Sequence, residues 1–204
     1  MTELTSLWSE PQTALLWAGF GYLLGSIPFG LILTRMAGLG DVRKIGSGNI
    51  GATNVLRTGN KPLAAITLLL DAAKGAVAVL VANRAGAEFG LIAALGAFIG
   101  HCYPVWLKFK GGKGVATYLG ALAPISWKVG VIFAGFWLAT AFVSRISSAA
   151  ALVACVISPL MLFATDKYSA GVVFLLISLL CVWRHRENIR RMIKGTESKI
   201  GSKG

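Results

Sequence analysis

Residues 62–82 read PLAAITLLLDAAKGAVAVLVA. A helix that crosses a membrane needs about 20 mostly apolar residues, because some 30 Å of hydrocarbon must be spanned. This stretch meets that length, and its only charged residues are Asp71 and Lys74. At the bilayer centre an unpaired charge costs about 3 kcal/mol. Spaced i, i+3, the two can pair on one helix face. The stretch therefore predicts a membrane helix with an internal ion pair, read first as structural, with a role in a site as the alternative.

Working outward, comparable apolar runs occupy 12–34, 88–107, 115–125, 127–143, 147–164 and 169–183. The pattern predicts an all-α, polytopic integral membrane protein of about seven transmembrane helices, with residues 1–204 forming a single domain. The fourth run is short and carries Pro124 at its end, so it is the weakest span. Composition agrees. Of 204 residues, 55% are hydrophobic and 14% charged, and mean hydropathy is +0.70. Soluble domains carry about 25% charged residues. A soluble fold, a disordered chain and a separate soluble domain are all excluded. The head holds Glu3 and Glu10 and no basic residue, which does not fit a cleavable signal peptide. Cys102, Cys155 and Cys181 lie far apart in apolar settings without a CxxC. They read as small apolar residues rather than as a disulfide frame or zinc site.

The net charge is +12. On a membrane protein this points to cytoplasmic loops, anionic lipid or anionic substrates rather than to nucleic acid. Strongly basic segments alternate with neutral or acidic ones. Arg35, Arg43, Lys44, Arg57 and Lys61 follow the first run, and Lys108, Lys110 and Lys113 follow the third. From Arg184 onward the tail holds seven basic and two acidic residues. The positive-inside rule then predicts the N-terminus outside and the C-terminus in the cytoplasm. Seven spans satisfy that parity.

Three polar stretches carry chemistry. The first is Lys44–Asn54, KIGSGNIGATN, within a loop too long for a simple connection. Gly46, Gly48 and Gly51 match GxGxxG by letter, but no strand precedes them, so the dinucleotide meaning is rejected. Glycines still let backbone N–H groups approach an anion. Ser47, Asn49, Thr53 and Asn54 add short polar groups, and Arg57 lies one helical turn beyond Thr53. The second is Gly100-His101, followed by Lys110-Gly111-Gly112-Lys113-Gly114. Leu107 and Gly114 break a Walker A pattern, leaving a lysine among flexible donors, which suits phosphate without a nucleotide. His101, near the end of an apolar run, could orient a hydroxyl or take its proton. The third is Arg184–Met192, where a helix puts His185, Asn188 and Met192 on one face; a basic tail lying on anionic lipid is its competing reading. Ser144, Arg145, Ser147 and Ser148 form a small polar cluster.

Several chemistries are missing. The chain has no GxSxG and no HExxH, and its eight acidic residues are scattered. No His is followed five positions later by Asp, the pattern of the acyl-CoA-dependent glycerolipid acyltransferases. No metal or cofactor is expected.

In order, Gly25-Ser26-Ile27-Pro28-Phe29-Gly30, Gly46–Asn54, Gly100-His101 with Tyr103-Pro104-Val105, Phe109–Thr117 and Arg184-His185 with Glu187–Arg191 closely resemble the bacterial acyl-phosphate:glycerol-3-phosphate acyltransferases, the PlsY family. After residue 120 the likeness rests mainly on the tail. The resemblance implies a seven-helix enzyme of the bacterial inner membrane with its site at the cytoplasmic face. It implies transfer of a fatty acyl group from acyl phosphate to the sn-1 hydroxyl of glycerol 3-phosphate. The products would be lysophosphatidic acid and phosphate, the first acylation in phospholipid synthesis. Ser47 and His101 would sit at the reacting centre. Arg57, Lys113, His185 and Asn188 would hold glycerol 3-phosphate, and Gly46, Gly48, Asn49, Thr53, Gly112 and Gly114 the acyl phosphate. Membrane lipid is the expected surrounding, with no obligate protein partner. A small phosphate transporter would also suit glycine loops and basic residues, but it needs polar groups on both faces. A lipid-binding scaffold would need neither Ser47 nor His101.

Overall fold

The computed structural model describes residues 10–201. Glu3 and Lys203, counted above in the head and tail, lie outside the described residues. Those described form helices, 3-10 turns and loops, with no strand.

Helix α1, Pro11–Gly25, opens on a proline at its first position, where no intrahelical N–H is needed. It stops at Ser26-Ile27-Pro28, because Pro28 lacks an N–H and disfavours helical backbone at Ile27. The chain resumes as α2, Phe29–Met36. The first apolar run thus stays one span, Pro11–Met36, with its helix interrupted at this point. Lys74 spans the break by donating to the Ile27 carbonyl at 2.8 Å.

A short helix α3, Ala52–Val55, lies in the first loop. Helix α4, Lys61–Ala82, is capped by the Asn60 side chain, which accepts from Leu63 N at 3.0 Å. There follow α5, Ala87–Cys102, α6, Val115–Ile125, α7, Trp127–Ser144, and α8, Ser147–Ala164. Helices α9, Tyr168–Arg184, and α10, Arg186–Ile193, meet at a 57° bend. Five helical segments among the described residues are long and apolar enough to cross a membrane, six when the bent pair counts as one. Helix α6 has 11 residues, about 16 Å, and by length alone falls short of the crossing expected of it.

Apolar side chains gain little by leaving lipid for a helix interface, so membrane helices associate through close packing of small residues. Gly25 of α1 lies against the Ala97 backbone of α5, and Gly120 of α6 against the Ala72 carbonyl of α4. A side chain at either would land on the partner's backbone. Tyr118 centres the other half of the bundle. Its ring stacks on Phe133 at 5.2 Å, and its hydroxyl pairs with Ser178 Oγ at 2.9 Å. All three cysteines are buried and free, as their apolar settings predict. Large apolar side chains such as Leu69, Phe142 and Val143 face outward, as a lipid-facing surface requires.

Candidate active site

The first loop is organised by one buried amide. Asn54, on α3, donates from Nδ2 to the carbonyls of Val42, Asn49 and Ile45 at 2.8, 2.7 and 3.2 Å. Its Oδ1 accepts from Ser47 N at 3.1 Å. The loop is closed around that side chain, which places the exposed Ser47 beside the bundle. Gly46 has φ +51°, and a side chain there would strike Arg57 and Asn54. The GxGxxG lettering thus encodes a tight turn under Arg57.

The second glycine stretch folds back on the end of α5. Gly111 N–H and Gly112 N–H donate to the carbonyls of Cys102 and His101 at 3.1 and 3.0 Å. Arg184 clamps the turn from the other side, donating to the Gly111 and Gly112 carbonyls at 2.9 and 3.1 Å. Its guanidinium lies 4.9 Å from the Tyr103 ring centroid. A side chain at Gly112 would fall on His101 Nε2, so this glycine makes room for the imidazole. Under the loop, Lys74 pairs with Asp71 at 2.7 Å as the spacing predicts. Asp71 also reaches the cavity beside His101, with Oδ1 3.7 Å from Nδ1.

The third stretch is not one continuous helix. The bend at His185 interrupts it, yet His185 and Asn188 both remain buried and face the same cavity. His185 Nδ1 donates to the Cys181 carbonyl at 2.8 Å, leaving Nε2 for other partners. Beyond α10 the tail turns back over the site. Glu197 accepts from Ser148 Oγ at 2.7 Å, from Arg191 Nε at 2.7 Å and from Asn188 Nδ2. Ser198 accepts from Arg57, and Ile200 N donates to the Arg145 carbonyl at 2.6 Å. Partial burial works to raise the Glu197 carboxyl. The three hydrogen bonds outweigh it and hold the group below the usual carboxylate range.

These pieces line one cavity of about 310 Å³. Of the residues selected from sequence, Ser47, Asn49, Thr53, Arg57, His101, Lys113, Gly114, His185 and Asn188 line it. Gly46, Gly48 and Gly112 do not. They shape the turns, and the N–H groups of Gly48 and Gly112 already donate to protein carbonyls. Sequence reasoning missed Glu197 and Ser198, gave Asp71 a site role only as its lesser reading, and left Ser147 and Ser148 as a polar cluster without a role. An intramembrane carboxylate was a signal for Asp71; nothing in a basic tail singles out Glu197. Burial holds the Lys113 ammonium down to about 8, against the pull of the nearby Glu197 carboxylate. Apolar side chains of Leu68, Val115, Leu119, Phe133, Trp137 and Leu138 line it as well. The cavity therefore offers both cations and apolar wall.

A family profile described as glycerol-3-phosphate acyltransferase matches residues 15–195. A glycerol-3-phosphate acyltransferase of Mesorhizobium japonicum is 63% identical over 185 residues, covering 91% of this chain and 95% of the relative. One of Agrobacterium fabrum is 60% identical over 205 residues, covering all of both chains. Among solved structures, PlsY (YgiH), described as an integral membrane glycerol 3-phosphate acyltransferase, is similar in two forms. Its glycerol 3-phosphate form superposes with TM-score 0.88 at 37% identity, over 92% of this chain and 96% of that one. Its lysophosphatidic acid form gives 0.86 at 36%, over 92% and 95%. The matched profile, the identities and the superposed bundle show that the chain belongs to the glycerol-3-phosphate acyltransferase family.

Proposed function

We propose that this protein transfers a fatty acyl group from acyl phosphate to the sn-1 hydroxyl of glycerol 3-phosphate, releasing lysophosphatidic acid and inorganic phosphate. The observation that carries the reading is the mixed lining of the cavity. Arg57 and Lys113 share it with six large apolar side chains. The acceptor is a phosphate anion, and the donor joins a phosphate anion to an alkyl chain. The similar PlsY structures, with glycerol 3-phosphate and with lysophosphatidic acid, support the acceptor and the product.

The chemistry suits these residues. Acyl phosphate is a mixed anhydride with a good leaving group, so positioning and charge compensation can carry much of the rate. The acceptor hydroxyl oxygen bonds to the acyl carbon, the bond from that carbon to the phosphate oxygen breaks, and the hydroxyl proton goes to the departing phosphate. Ser47 and His101 hold the reacting groups. Arg57, Lys113, His185 and Asn188 bind glycerol 3-phosphate. Asn49, Thr53 and Gly114 face the acyl phosphate, with Gly46, Gly48 and Gly112 holding the loops in shape. No metal or cofactor takes part.

The chain works as one membrane domain in the bacterial cytoplasmic membrane. The first loop, the glycine turn and the tail meet at one cavity, so they share one side. Their basic charge puts that side in the cytoplasm and the N-terminus outside. Val115 and Ser147 both line the cavity, so α6 and α7 run out and back, which supports seven passes with a short α6.

The test is acyl transfer by the purified protein in detergent, given glycerol 3-phosphate with palmitoyl phosphate or with palmitoyl-CoA. Turnover with palmitoyl phosphate alone, releasing equal lysophosphatidic acid and phosphate, is expected. Turnover with palmitoyl-CoA alone, or with neither donor in folded protein, overturns the proposal.

A further inference from the structure

Glu197 comes from the tail, yet its side chain is only 6% exposed. Three donors from two helices converge on it: Ser148 Oγ at the start of α8, and Asn188 Nδ2 and Arg191 Nε on α10. A carboxylate can only accept, whereas an asparagine amide donates at one end and accepts at the other. Glu197 therefore decides which way Asn188 faces. The amide nitrogen must turn to the carboxylate, which directs the carbonyl oxygen the other way. That oxygen has no protein partner among the described residues, and Asn188 lines the cavity.

This acceptor shares the cavity with two cations. Arg57 and Lys113, which also line the cavity, bring positive charge and N–H donors. A phosphate oxygen brought against the Asn188 carbonyl would meet a second acceptor. A hydroxyl can donate to it. Resting on the acyltransferase reading above, we infer that Glu197 is a positioning residue that locks the Asn188 carbonyl toward the cavity, where it accepts the non-reacting C2 hydroxyl of glycerol 3-phosphate and selects for it.

Asn188 then does not share the phosphate-binding role of Arg57 and Lys113. The acceptor is held at three points: its phosphate by those cations, its C2 hydroxyl by Asn188, and its C1 hydroxyl at Ser47 and His101. Three attachments around the C2 centre distinguish a molecule from its mirror image. A site built to pair a hydroxyl also discriminates strongly against an analogue that lacks it, because the buried acceptor is left unpaired.

The experiment uses the full-length protein in detergent with palmitoyl phosphate as donor. It compares kcat/KM for glycerol 3-phosphate with that for 3-hydroxypropyl phosphate, which lacks the C2 hydroxyl. The wild type should prefer glycerol 3-phosphate by about a hundredfold or more. Glu197→Gln keeps the shape but offers both a donor and an acceptor, so the Asn188 amide is free to turn. It should cut the preference about tenfold, mostly through KM for glycerol 3-phosphate, with a much smaller effect on the deoxy acceptor. Asn188→Ala should cut it at least as far, and the double variant no further. Glu197→Asp, which keeps an acceptor-only group, should restore much of the preference. A Glu197→Gln protein slowed equally on both acceptors, with the ratio unchanged, overturns the inference alone and leaves Glu197 structural. A wild type without preference does the same. A wild type that acylates neither acceptor overturns the acyltransferase reading, and this inference with it.

Discussion

Asp71 Oδ1 lies 2.7 Å from Lys74 Nζ and 3.7 Å from His101 Nδ1, with all three side chains at most 3% exposed. Helices α4 and α5 thus share one carboxylate under the floor of the cavity. Removing one partner of a buried ion pair leaves the other uncompensated, at a cost of about 3–5 kcal/mol. Asp71→Asn should lower stability by that order in thermal unfolding in detergent. Adding Lys74→Met should return part of it. A double variant no more stable than Asp71→Asn would show that the pair is not what the loss reports.

In its proposed role, Lys113 makes the hold on the acceptor pH-sensitive. Its ammonium, held at about 8 by burial, is charged below that pH and loses its proton above it. The KM for glycerol 3-phosphate should therefore rise as pH climbs through 8, by up to about tenfold per unit. Lys113→Arg stays charged throughout, and its KM should lack the rise. An unchanged profile in Lys113→Arg would assign the titration elsewhere.

Gly112→Ala tests the seat of His101. The new methyl would occupy the place of Nε2, so the imidazole or the glycine turn must move. A displacement of about 1 Å at a reacting centre can cost 10²-fold, and kcat should fall by that order. Gly135→Ala, with nothing within 4 Å of the added atom, should leave kcat unchanged and serves as the control.

Arg184 is exposed to the same logic from outside the cavity. It holds the Gly111 and Gly112 carbonyls without lining the site. Arg184→Ala should lower kcat/KM for both substrates about tenfold or more, each lost hydrogen bond to a charged group being worth about 1.5–3 kcal/mol. Arg184→Lys, with no planar fork to reach both carbonyls, should recover little. Full activity in Arg184→Ala would show that the turn holds itself.

The apolar lining of the cavity should set the fate of the acyl chain. Leu119→Trp fills it from α6. The KM for palmitoyl phosphate should rise about tenfold or more, given about 0.8 kcal/mol per buried methylene, while a short-chain acyl phosphate is less affected. Equal effects on both chain lengths would place the alkyl chain elsewhere.

The membrane class, the apolar runs, the Asp71–Lys74 pair and nine cavity-lining residues were legible in the sequence. Each leaves a local signature: a run of apolar residues, a spacing of three, or polar groups stranded beside a membrane span. Gly46, Gly48 and Gly112 were legible as glycines but not in their role, because a letter pattern cannot say where an N–H points. The break at Ser26-Ile27-Pro28 follows from Pro28, but what takes up the freed Ile27 carbonyl depends on packing: Lys74 reaches it from another helix.

The sequence by itself determined that this chain lives in a membrane, gathers cations at loop ends and resembles one acyltransferase family. Only the tertiary structure decided that Asp71 touches the site, that Arg184 grips the glycine turn, and that Glu197 orients Asn188. Hydropathy and charge are sums over neighbouring residues and survive being read along a line. A hydrogen bond has direction and a short reach. Whether a carboxylate in the tail meets an amide on α10 is settled by how the helices pack.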